Sequence, residues 1–288
     1  MNPWLLAARP KTLSAAIAPV LVGTGLALHD RHGVQWVYVA CALLSGLFIQ
    51  IATNLINDAL DFRKGADTAE RLGPVRVTHA GLLPEETVLR GGYACLLIAA
   101  LFGIPLIVHA GWPILAVGVA SIAMAYAYTG GPYPLAYHGL GELFVMLFFG
   151  FAAVGGTYYV LTLHYGVDAA VCGAGVGSLA VVILAINNLR DIHGDRASNK
   201  KTMAVRIGES GARAEIVLFL AIAYAAIGFV AWRLRDPMLL IALVSLPLAI
   251  ALALRVYRST GRELNRCLAM AGALQWAYSV LFLIGCIV

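Results

Sequence analysis

Apolar stretches of about 17 to 25 residues, enough to cross a hydrocarbon core of roughly 30 Å, recur from one end of this chain to the other. They fall at 12–28, 34–56, 88–108, 112–128, 140–162, 167–187, 213–232, 237–254 and 267–287. The expected fold is all-α, a polytopic membrane protein of about nine transmembrane helices, organised as a single domain over 1–288. Composition points the same way: 61% of the residues are hydrophobic and only 12% charged, where a soluble domain carries about 25% charged residues. No stretch is left for a separate soluble domain. Arg9-Pro10-Lys11 ahead of the first apolar run imitates a secretory signal, but no convincing small-residue cleavage site follows it, so that run is expected to be a retained helix.

Short loops rich in Lys and Arg face the cytoplasm. With the N-terminus inside, 17 of the 20 basic residues fall on inner segments and only Arg31, Arg233 and Arg235 fall outside. The N-terminus and the long polar loops are therefore expected to be cytoplasmic and, after nine crossings, the C-terminus external. In a bacterium the bilayer would be the inner membrane. The formal charge of +5 reflects topology, and no nucleic-acid partner is expected. The five cysteines, Cys41, Cys95, Cys172, Cys267 and Cys286, stand singly in apolar segments without the close spacing of a zinc or redox site. Glycines inside the spans, such as Gly173, Gly175 and Gly177, suit close helix packing in lipid.

Most of the acidic residues lie in the two longest inner connections, about 57–87 and 188–212. The first opens Asn54-Leu55-Ile56-Asn57-Asp58-Ala59-Leu60-Asp61-Phe62-Arg63-Lys64 and continues to Asp67; the second opens Asn187-Asn188-Leu189-Arg190-Asp191-Ile192-His193-Gly194-Asp195-Arg196, with Lys200 and Lys201 following. Each begins with Asn at the end of an apolar helix, then spaces Asp residues three or four apart, then turns basic. About 130 residues and four spans separate them, so two four-helix halves related by an internal repeat, plus one extra helix, account for the pattern.

Asn57 and Asp61 are four residues apart, as are Asp191 and Asp195, so on a continuing helix each pair projects from one face. Mg²⁺ takes hard oxygen ligands, commonly one or two carboxylates with substrate phosphates and water, so two facing Asp clusters suit a metal-bridged diphosphate. Arg63, Lys64, Arg190, Arg196, Lys200 and Lys201 would neutralise the remaining phosphate charge. Asp and Asn also cap helices and solvate loops. Two matched loops on one side, at a depth where ionisable groups are costly, favour function over capping.

Asn57-Asp58-x-x-Asp61 and Asp191-x-x-x-Asp195 resemble the paired Asp-rich motifs of the UbiA superfamily of intramembrane prenyltransferases, and the resemblance spans nearly the whole chain. Arg9-Pro10-Lys11-Thr12, Arg71-Leu72-Gly73-Pro74-Val75-Arg76-Val77-Thr78, Tyr128-Thr129-Gly130-Gly131-Pro132 and Lys201-Thr202-Met203-Ala204-Val205-Arg206 look most like the branch whose acceptor is 1,4-dihydroxy-2-naphthoate. The resemblance implies that Asn57, Asp61, Asp191 and Asp195, helped by Asp58 and Asp67, hold Mg²⁺ on the diphosphate of a polyprenyl donor. Asp61, Asp191 and Asp195 would be the catalytic set. Lys11 and Tyr128 join the diphosphate-binding residues, and Arg76, His79 and Asn54 are the candidates for the acceptor. Two positions depart from the superfamily pattern: Gly65 stands where a further Asp is common, and Tyr133 near where a Lys is common.

The implied reaction is prenylation at the carboxyl-bearing ring carbon with loss of CO₂, giving a demethylmenaquinol. A second reading keeps the fold and changes the acceptor, for example to 4-hydroxybenzoate. A third is a transporter, whose signature would be ionisable residues or broken helices near the midplane. Here Glu142 is the main acidic residue close to a helix interior.

Overall fold

A computed structural model describes residues 2–65, 72–73 and 75–288, with the Lys11 side chain left out. Asp67 and that side chain lie outside the described parts. Among the described residues the regular structure is entirely helical, as lipid requires of a spanning segment that must satisfy every backbone group internally. We label the long helices α1 (Ser14–His29), α2 (Trp36–Arg63), α3 (Glu85–Ala110), α4 (Trp112–Ala127), α5 (Gly141–Thr162), α6 (Val167–Arg190), α7 (Met203–Leu234), α8 (Pro237–Arg258) and α9 (Gly261–Ile287). Seven of them are long and apolar enough to cross a bilayer; α1 and α4 are shorter apolar helices of 16 residues each. Among the described residues the expected spans, about nine, therefore appear as seven full-length helices and two short ones.

The helices overrun their apolar windows where the site lies. α2 continues helical to Arg63 and α6 to Arg190, because polar residues emerging from the bilayer still complete the i to i−4 bonds of the last turns. α2 stops at Lys64–Gly65, where Gly65 adopts φ 65° and its N–H reaches the Phe62 carbonyl at 2.9 Å. That left-handed position suits glycine, so the first departure from the superfamily pattern is the helix terminator. α7 bends at Gly208 (φ 76°), which sets Met203–Ile207 apart from the apolar span that follows.

The most extensive helix pairings are α2 with α3 and α6 with α7. These pairs correspond under a shift of four helices, as the internal repeat requires. α1 packs on both α5 and α9, and α9 also on α6, so the ninth helix closes the bundle against the first. Small residues permit the closest crossing: a Cβ on Gly150 would lie 2.5 Å from the Gly173 carbonyl oxygen and one on Gly23 2.7 Å from that of Val154. Gly150 sits in a π-helical stretch of α5, Met146–Ala152, placed at that contact with α6. The largest buried cluster runs through α1 and α5–α9. The α2–α4 side is held by smaller ones.

Candidate active site

Three polar connections meet at one end of the bundle. They are the C-terminal turns of α2, the α4–α5 link, and the end of α6 with the segment leading into α7. Between them lies a cavity of ≈ 70 Å³, lined among others by Asn57, Asp61, Tyr128, Glu142, Asn187 and Lys200. Asn57 and Asp61 share a face of α2, as their spacing dictates, and both line it. The intervening Asp58 is 1% exposed and points elsewhere: its carboxylate accepts the Val77 and Thr78 N–H groups at 3.2 and 3.0 Å, with Arg9 4.0 Å away. Asp58 thus fastens the long first loop to α2.

Asp61 accepts from Arg76 Nη2 at 2.8 Å and from the Tyr137 hydroxyl at 2.9 Å. Asn57 accepts from the Thr129 hydroxyl. Tyr137 forms the centre of a cationic cluster, since Lys64 Nζ stands 4.6 Å and Lys200 Nζ 5.4 Å from its ring centroid. Lys64 also donates to the Thr129 carbonyl at 2.5 Å. Burial holds the Lys64 ammonium below the ordinary lysine range, with Asp61 opposing that shift and Lys200 adding to it. An ammonium so placed gains by meeting an anion. Tyr128 is pushed well up, first by burial and then by Glu142, Asp61 and Asp195, so it remains a neutral hydroxyl.

At the second loop α6 ends at Asp191, whose φ −95° and ψ 8° break the helix before a short turn, Ile192–Ala197, that carries Asp195. The Asp195 N–H still bonds the Asp191 carbonyl at 2.8 Å, so the pair stays together across the kink. Arg190 is fully buried and grips the motif from behind: it donates to both Asp191 oxygens at 2.8 and 2.5 Å, to Asn187 at 2.6 Å and to Asn265 of α9 at 2.9 Å. Asp195 receives the Thr202 hydroxyl at 3.4 Å and faces Lys200 at 3.9 Å. Burial pushes its carboxyl up to about 6; Lys200 and Thr202 oppose that shift, and Asp191 and Asp61 add to it. The charge of the first loop is therefore felt at the second.

Among the described residues no three His, Cys, Asp or Glu side chains close into a ready-made metal cage. The donor set still fits Mg²⁺, because a hard cation that keeps water and phosphate oxygens needs only one or two carboxylates per ion. Asn57 and Asp61 on one wall, with Asp191 and Asp195 beside the other, offer oxygen ligands of that kind.

Several sequence candidates stand apart from the cavity. Arg63 pairs with Glu85 at 2.5 Å on the surface. His79 is exposed, edge-on to Phe62, and Arg196 and Lys201 are exposed too. Asn54 ties the N-terminal segment down, donating to the Ala8 carbonyl at 2.9 Å and the Thr12 hydroxyl at 3.0 Å. Arg190 serves the carboxylates rather than the open cavity, and Arg76 likewise reaches Asp61. Sequence reasoning missed Tyr137, Thr129, Asn188 and Thr202. Tyr133 stacks on His138 with centroids 3.6 Å apart, while the cations sought near it arrive from Lys64 and Lys200. Gly139 allows this arrangement: its φ is 68°, and a Cβ there would meet Arg206 Nε at 2.6 Å.

A lipid-embedded helical bundle with carboxylates, amides and lysines converging on one polar cavity defines an intramembrane enzyme for an anionic substrate. The chain belongs to the UbiA prenyltransferase family, which matches residues 16–285. It is 38% identical to the 1,4-dihydroxy-2-naphthoate octaprenyltransferase of Mycobacterium tuberculosis, over 96% of this chain and 94% of that protein. It is 33% identical to the protein of the same name from Bacillus subtilis, over 94% and 87% respectively. Its fold matches the structure of a UbiA homolog from Archaeoglobus fulgidus bound to DMAPP and Mg²⁺, with a TM-score of 0.65, 14% identity and coverage of 98% and 99%. The chain is a prenyltransferase by family, and the transporter reading ends here.

Proposed function

We propose that this enzyme transfers a polyprenyl group from polyprenyl diphosphate to 1,4-dihydroxy-2-naphthoate with loss of CO₂, giving demethylmenaquinol in menaquinone biosynthesis. The observation that carries this reading is the 38% identity to a naphthoate octaprenyltransferase across nearly the full length of both chains. The cavity supplies the matching chemistry.

Asn57, Asp61, Asp191 and Asp195 would hold Mg²⁺ here, and bound Mg²⁺ supplies electrostatic stabilisation of the departing diphosphate. Lys64 and Lys200, clustered on Tyr137, neutralise phosphate oxygens. Arg76 and Arg190 fix the Asp61 and Asp191 carboxylates in place. Tyr128 donates its hydroxyl into the cavity. The surrounding helices keep water from the allylic carbon while the isoprenoid tail lies in an apolar setting.

The basic-residue asymmetry supports a multi-pass topology in the cell inner membrane, with the N-terminus and both Asp loops cytoplasmic and the C-terminus external. Incubating membranes that contain the protein with Mg²⁺, labelled polyprenyl diphosphate and either the naphthoate or 4-hydroxybenzoate tests the assignment. Product from the naphthoate, lost on adding EDTA, is expected. Product from 4-hydroxybenzoate alone would reject it.

A further inference from the structure

Glu142 lies in the first turn of α5, is 5% exposed and lines the same cavity as Asn57 and Asp61. Its Oε1 accepts the Asn188 side-chain amide of α6 at 2.8 Å. Its Oε2 is buried and has no hydrogen-bond partner among the described residues. A buried acceptor left unmatched costs about 1–3 kcal/mol, so an unmatched oxygen on a residue that lines the substrate cavity points to a donor that arrives with the substrate. Glu215 of α7 also buries an unmatched oxygen, but it is outside the cavity lining.

Depth says which part of the substrates comes near. Along α6, Leu184 and Asn188 precede Asp191 and Asp195, and at 1.5 Å per residue Asn188 lies about 5 Å farther into the bundle than Asp191. Glu142 is held at that level. With the diphosphate among Asp61, Asp191, Lys64 and Lys200, the next atoms inward are the allylic carbon and the ring that attacks it. Leu184 and Tyr128 line the cavity there, and Asn188 fixes the direction of the carboxyl group.

We propose that Glu142 Oε2 accepts the hydroxyl of the aromatic acceptor adjacent to the reacting carbon, which makes Glu142, oriented by Asn188, the acceptor-recognition residue of the site; this rests on the function proposed above. A hydroxyl donating to a carboxyl oxygen pushes electron density onto the neighbouring ring carbon. That carbon forms the new C–C bond as the allylic C–O bond breaks and its electron pair leaves with diphosphate. The ring C–CO₂ bond then breaks, and its electron pair restores aromaticity. The hydroxyl keeps its proton in the product, so Glu142 orients and polarises the ring without any net proton transfer.

The test compares wild type, Glu142→Gln and Glu142→Asp, each purified in nanodiscs with Mg²⁺ and polyprenyl diphosphate. Two acceptors are used, the dihydroxynaphthoate and its methyl ether at the hydroxyl beside the carboxyl group. For Glu142→Gln we expect a fall in kcat/KM of about 100-fold with the dihydroxy acceptor, partial recovery in Glu142→Asp, and unchanged Mn²⁺ affinity in the presence of diphosphate. With the methyl ether, which cannot donate, the three proteins should be equally slow. An equal loss on both acceptors, or a loss of Mn²⁺ affinity, overturns the proposal and makes Glu142 a structural or metal-binding residue. If wild type prenylates 4-hydroxybenzoate instead, the naphthoate assignment falls on its own. The Glu142 comparison then runs on that ring and its methyl ether, with the same criteria.

Discussion

The two Asp loops look like copies in sequence, yet they hold their carboxylates by different means. In the first, α2 runs unbroken through Asn57 and Asp61, and the fixing cation, Arg76, returns from a loop 15 residues on. In the second, the helix breaks at Asp191, and the fixing cation is the adjacent Arg190, buried in the bundle and anchored to α9 through Asn265. The first carboxylate thus depends on a loop that must itself be fastened by Asp58, whereas the second is held by packing within the membrane domain. On the proposed function, one requirement, a positioned carboxylate for a diphosphate-bound cation, would be met by a tethered loop on one side and by a rigid clamp on the other.

Substitutions can break this comparison in graded steps. The largest effect is expected from Asp61→Ala or Asp191→Ala, each lowering kcat for prenyl transfer on the order of 10³-fold and also lowering the melting temperature, because Arg76 or Arg190 is left buried without its carboxylate, as radiolabelled product and a detergent melt would show. Arg190→Ala should act first on stability. Removing one partner of a buried pair costs about 3–5 kcal/mol, so this variant should melt well below wild type. Arg76→Ala should lose activity with a smaller fall in melting temperature. Asp58→Ala should sit between the two loops in behaviour. Freeing the Val77 and Thr78 amides costs about 1–3 kcal/mol, and limited proteolysis should cut first near residues 76–81 while Asp61 keeps its place on α2.

Smaller effects sharpen the picture. Tyr137→Phe deletes the hydroxyl on Asp61 but keeps the ring beneath the lysines, and should raise the Mg²⁺ concentration for half-maximal activity about 10-fold. Arg196→Ala and Lys201→Ala, at exposed positions, should change it less than Lys64→Ala or Lys200→Ala. The mildest effect concerns pH. With its pKa raised to about 6, Asp195 carries a proton through much of the metal-free population below that value and is ionised above it. Metal binding should therefore release close to one proton from Asp195 at pH 5 and almost none at pH 8, readable by calorimetry in buffers of different ionisation enthalpy.

The membrane fold was legible because apolar length is a local signal that lipid imposes strongly. The carboxylate pairs that the structure brings together were legible because they lie within a few residues of one another on matched helix ends. Tyr137, Thr129, Asn188 and Thr202 were not, since each gains its role from a partner 76, 72, 46 or only 7 positions away and none belongs to a charged run. The basic residues misled for the opposite reason. Arg63, Arg196 and Lys201 are near Asp in sequence, but their side chains leave the helix or loop on the solvent side. Arg190 shows that a cation in the right motif can serve a carboxylate instead of a phosphate.

The account rests on both loops serving a single metal–diphosphate centre. Titrating Mn²⁺ into wild type, Asp61→Asn and Asp191→Asn with a non-hydrolysable polyprenyl diphosphate analogue, followed by electron paramagnetic resonance, tests that claim directly. The account predicts that each single substitution removes most of the diphosphate-dependent Mn²⁺ binding seen in wild type. Wild-type binding in either variant would mean that its loop is not part of the centre.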